Sequence, residues 1–84
     1  MTRTILPMDD ATGLPSIKLV FQCNIAPGSH AMQGQPGEEV FEILARWFAT
    51  NFPGEAVGRV QATGPLAWAI SSMTGRTIEF SVIL

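Results

Sequence analysis

A small α+β fold is predicted for this 84-residue chain by three patterns. Residues 38–52 carry helical periodicity between two Pro-Gly pairs, Pro36-Gly37 and Pro53-Gly54. Residues 16–26 alternate apolar and polar side chains. Residues 65–84 read as two alternating strands around a turn. Together they give a β-α-β-β order, with one amphipathic helix on one face of a mainly antiparallel sheet of about three or four strands. The sheet ends in a C-terminal β-hairpin.

In chain order, residues 1–15 are expected to be an irregular arm, punctuated by Pro7, Asp9, Asp10, Gly13 and Pro15. Ile5, Leu6 and Met8 give it apolar material to dock on the core or on a neighbour. In the first strand Ile17, Leu19, Phe21, Cys23 and Ile25 share one face, and Lys18, Val20, Gln22 and Asn24 the other. The buried set includes Cys23, which reads as a small core hydrophobe. Residues 26–37, Ala-Pro-Gly-Ser-His-Ala-Met-Gln-Gly-Gln-Pro-Gly, break both periods and are expected to be a long loop.

The helix starts on acidic residues, Glu38 and Glu39, and stops before Pro53, as the helix dipole and the proline ring require. Val40, Phe41, Ile43, Leu44, Ala45, Trp47, Phe48 and Phe52 form an apolar arc of about 200°, where one buried face needs roughly 100° or more. One small sheet would not cover it. The surplus marks Phe41, Trp47 and Phe52, taken as the margins of the arc, as candidate partner contacts. A crossover from the first strand to a parallel strand after the helix would be right-handed.

Residues 55–63 form a weak strand or an extended connection. In the final hairpin Leu66, Trp68 and Ile70 lie on one face of one strand, and Ile78, Phe80 and Val82 on one face of the other. Pro65, Leu66, Ile70, Met73 and Gly75 would also suit a short helix. Met73-Thr74-Gly75 has the composition of a three-residue loop whose last position takes positive φ. The stretch Ser-Met-Thr-Gly-Arg-Thr-Ile-Glu-Phe-Ser-Val resembles the first hairpin of ubiquitin in its turn and alternation. The resemblance covers this hairpin alone and implies strand geometry, with no function attached.

Composition bounds the function. The formal net charge is −2 and the five cations, Arg3, Lys18, Arg46, Arg59 and Arg76, are scattered, so the footprint of a direct nucleic-acid ligand is missing. No stretch has the length of a membrane span or the pattern of a signal peptide, and a lone cysteine makes no internal disulfide. A cytoplasmic, single-domain chain over 1–84 is the expectation.

No catalytic constellation is legible. Ser29 and His30 are merely adjacent, Asp9-Asp10 sits in the arm, and Glu38 with Glu39 places negative charge where a phosphate would bind at the helix start. The expectation is a non-enzyme with neither cofactor nor metal: a protein-binding module, hetero- or homo-oligomeric, using a helix margin or a sheet edge, the final strand of the hairpin offering that edge if it is unpaired. His30 in the loop, and the outward Arg76 and Glu79 of the hairpin, join the candidate contacts. Size, acidity and lack of chemistry resemble the broad class of phage or mobile-element proteins that block host machinery, such as anti-CRISPR inhibitors. That resemblance implies inhibition by steric binding. The alternative is a small-ligand or metal site in the 26–37 loop around His30, with Ser29 and either Cys23 or the Asp9-Asp10 pair.

Overall fold

A computed structural model describes residues 17–83; the expected arm, with Ile5, Leu6, Met8, Asp9 and Asp10, lies outside them. One helix packs on a five-stranded sheet, in the order β1 (Ile17–Cys23), β2 (His30–Gly34), α1 (Val40–Asn51), β3 (Val57–Gly64), β4 (Ala67–Ser72) and β5 (Thr77–Ile83). Across the sheet the strands run β2-β1-β5-β4-β3, each neighbouring pair antiparallel.

The predicted class is found, with corrections. The 26–37 stretch is not all loop: His30–Gly34 pairs with β1 from Phe21↔His30 to Ile17↔Gly34. With β2, and with residues 57–64 forming a strand, the sheet has five strands instead of three or four. Every described pairing is antiparallel, yet the alternating directions make β1 parallel to β4, and β2 parallel to β5 and β3, so strands before and after the helix do run parallel without being neighbours. Ile25, expected in the buried set, lies past the end of β1 and is exposed.

The C-terminal hairpin forms as read. Trp68 faces Phe80 and Ile70 faces Ile78, so the two bulky faces coincide. Gly75 has φ +97° and donates its N–H to the Ser72 carbonyl at 3.1 Å, while Ser72 N–H bonds the Arg76 carbonyl at 2.8 Å. A Cβ at Gly75 would meet no space limit but would strain the backbone, so the φ alone selects glycine. The helix begins where Glu42 reaches back to the Glu39 N–H at 2.8 Å, one half of a capping box. It stops at Asn51, before Pro53 can clash with the preceding turn.

The core lies between α1 and the three central strands: Leu19, Phe21 and Cys23 from β1, Ile70 from β4, Ile78 and Phe80 from β5, and Ile43, Leu44, Trp47 and Phe48 from the helix. Phe21, Trp47 and Phe80 meet with all three ring centroids 5.6 Å apart, in edge or tilted geometries that suit the aromatic quadrupole. The opposite face carries Lys18, Gln22, Gln61, Thr77, Glu79 and Ser81, all exposed. That alternation is what one covered and one open face demands.

Candidate functional site

The six residues singled out from sequence do not converge. Trp47 is in the core at 9% exposure, enclosed by Phe21, Phe80, Phe52 and His30. It therefore lies inside the packing and not at the margin of the arc. Strand β2 is the reason: it brings His30 to a centroid distance of 5.6 Å from Trp47 and covers what would otherwise be an edge. His30 also stacks on Phe21 at 5.6 Å, and its Nε2–H donates to the Ala26 carbonyl at 2.6 Å, closing the β1–β2 connection. Cys23 Sγ lies 3.7 Å from the same carbonyl. Among the described residues no three of His, Cys, Asp and Glu gather in a metal-holding group; Asp9 and Asp10 lie outside them.

Phe52 and Arg76 form one clamp. The Arg76 guanidinium sits 4.5 Å from the Phe52 ring centroid, and its Nε donates to both Glu55 oxygens at 3.0 and 2.8 Å. Thr74 Oγ1 donates to Glu55 at 3.1 Å, and Met73 N–H bonds the Ala56 carbonyl at 2.8 Å. Desolvation pushes the Glu55 carboxyl up, but the hydrogen bonds from Arg76 and Thr74 outweigh it and hold the group below the ordinary glutamate range. The clamp ties the helix exit to the β4–β5 turn. Glu79 is exposed on the open face of β5, its backbone held by Asn24: its N–H meets Asn24 Oδ1 at 3.1 Å and its carbonyl accepts from Asn24 N–H at 3.2 Å.

Phe41 is the candidate that reaches open surface. It is 41% exposed, and its ring lies 6.1 Å from that of Trp68. Beside this pair runs an apolar groove of about 290 Å³, bounded by Val40 at the helix start, Leu19 and Val20 on β1, Leu66 and Trp68 at the head of β4, and Ile83 at the end of β5. Leu66 and Ile83 are exposed although large and apolar. The groove exists because the Leu66 carbonyl accepts from Val82 N–H at 2.9 Å, which brings the β3–β4 turn against the last residues of β5. Alternation puts Leu66 on the bulky face of the hairpin with Trp68 and Ile70, and gives Ile83 no place on that face. Their only signal was position, at strand ends where alternation outruns the helix that covers the sheet.

The two sheet edges differ. At β2, Arg46 on the helix donates to the Gln33 carbonyl at 2.8 Å and is held there by Glu38, also at 2.8 Å. The Arg46 hydrogen bond is the main reason that the Glu38 carboxyl lies below its ordinary range, against an opposing desolvation. At β3 no described strand lies on the outer side. The final strand, offered from sequence as a possible edge, is the centre of the sheet, between β1 and β4.

Comparison with protein-family models, with curated proteins and with solved structures gave no match. Among the described residues no helix is long and apolar enough to cross a membrane.

Proposed function

We propose that this chain is a non-catalytic protein-binding module of the reducing cytoplasm, which acts by occupying its partner sterically through the Leu66–Trp68–Ile83 groove beside Phe41. The observation that carries the reading is that exposed Leu66 and Ile83 line one apolar depression together with Trp68, against whose ring exposed Phe41 lies. Exposed apolar surface of this kind is costly in isolation and marks contact sites, where an aromatic wall and a shaped recess accept an anchor side chain. Among the described residues Lys18 is the only charged one lining it, which suits an apolar protein side chain better than a nucleic-acid backbone.

A photo-crosslinking residue placed at Leu66 tests this in cells of the native host. A heavier adduct is expected from position 66 and none from Gln22, which is exposed on the opposite face. Leu66→Asp should leave folding intact, because the side chain is 44% exposed, and should abolish competition for the partner so captured. Equal labelling from both positions, or none from either, contradicts the groove.

A further inference from the structure

We propose that the β3 edge pairs with β3 of a second copy of this chain, antiparallel about a two-fold axis at Gln61, giving one continuous sheet across the dimer. The backbone directions fix which groups are available. Ser72 N–H bonds the Arg76 carbonyl and the Leu66 carbonyl accepts from Val82 N–H, so the even-numbered residues of β4 point their backbone groups at β5. The odd-numbered ones then face β3, and Arg59↔Ser71 and Gln61↔Ala69 are the hydrogen-bonded pairs there. It follows that the N–H and C=O groups of Val60 and Ala62 point outward from the sheet, with no described strand to receive them.

Self-pairing satisfies these groups in one register. With Gln61 opposite its own copy, Val60 of each chain lies opposite Ala62 of the other, and each pair exchanges two hydrogen bonds. The register shifts at Val57/Arg59 and Ala62/Gly64 bound this short ladder on either side and leave the run 59–62 regular. Charge fits as well. Arg59 is the one charged residue of β3, and the two-fold at Gln61 places it and its copy on opposite sides of the axis, so no like charges meet. Gln61 sits at the axis on the open face, where two amides can hydrogen-bond each other, and Val60 and Ala62 meet on the helix side.

The contrast with β2 favours a partner at β3 in particular. Strand β2 is shorter, and Arg46 already occupies its Gln33 carbonyl. Among the described residues β3 carries neither an inward charge nor a covering side chain, and such an edge is the one that accepts another strand.

Charge reversal at the axis tests the pairing. Wild-type protein should approach dimer mass in light scattering as concentration rises. Gln61→Lys alone and Gln61→Glu alone should each remain monomeric, with unchanged circular dichroism, because each places like charges opposite one another. An equal mixture of the two should recover the dimer. Ala62→Pro, which removes an outward N–H at an edge position where proline is tolerated, should also give monomer. Leu66→Asp should leave the dimer intact, which separates this inference from the groove. A wild-type monomer at every concentration overturns the proposal, as does a dimer that survives Gln61→Lys or a mixture that stays monomeric.

Discussion

The two edges of this sheet solve the same problem differently. At β2 the helix lends a cation: Arg46 reaches from α1 to the Gln33 carbonyl and is anchored by Glu38. At β3 the strand is longer and exposed along most of its length, and its far neighbour is absent among the described residues. Both edges flank the same core, yet its fully buried side chains come from β1, β4, β5 and α1, with none from either edge strand. An edge strand held mainly by backbone bonds is free to be closed from outside or from within; Arg46 does the latter at β2, and β3 is left open to the former among the described residues.

Substitutions can separate the edges or show that they act together. The largest effect is expected from Phe21→Ala, which removes a fully buried ring touching His30, Trp47 and Phe80. A loss of about 3–5 kcal/mol in urea unfolding is expected, with amide protection falling in β2 and β3 alike, since both depend on this core. Loss confined to β2 would mean that the edges are separate units.

Gly34→Ala should act on one edge. A Cβ there would lie 2.5 Å from Ile17 Cγ2, 2.9 Å from Ile43 Cδ1 and 3.1 Å from the Ile17 carbonyl oxygen, so the two isoleucine side chains must repack or strand β2 must move off β1. The expected cost is about 1–3 kcal/mol, read by urea unfolding, with protection lost in β2 before β3. Arg46→Ala uncovers the Gln33 carbonyl without filling any space. Its cost should be about 1 kcal/mol, because the guanidinium is partly exposed, and amide exchange should quicken in β2 only.

The smallest effect concerns pH. The Glu38 carboxyl is held below its ordinary range in the folded state, so it contributes stability above the unfolded-state value. That contribution is lost as the pH falls through the folded-state value. Glu38→Gln should therefore flatten the acid limb of the stability profile by a few tenths of a kcal/mol, after discounting for solvent screening. A residual acid slope should remain from Glu55, which is shifted in the same direction beside the start of β3. Melting temperatures across the acidic range read both contributions.

Much of the scaffold was legible because local signals agreed. The Pro-Gly brackets set the helix within two residues at its start and one at its end, and alternation with a positive-φ glycine set the last hairpin. Strand β2 was hidden because His30–Gly34 is short, lacks β-branched residues and is flanked by glycine and proline; its pairing with β1 overrides those propensities. That omission made Trp47 look peripheral. The site was less legible still, since strand order is a tertiary fact: β5 lies between β1 and β4, which turns the expected edge into the centre and leaves β3 outside. The groove depends on the same arrangement, which brings Leu66 and Ile83 together from different strands.

Residue-resolved amide exchange at low and high protein concentration tests the difference between the edges most directly. Arg59 and Gln61 N–H groups face β4 and should be protected at both concentrations. Val60 and Ala62 N–H groups should exchange fast when dilute and slow markedly when concentrated, while β2 remains unchanged. Fast exchange at Val60 and Ala62 at every concentration, or equal slowing at β2, would contradict the assignment of β3 as the edge that a second chain closes.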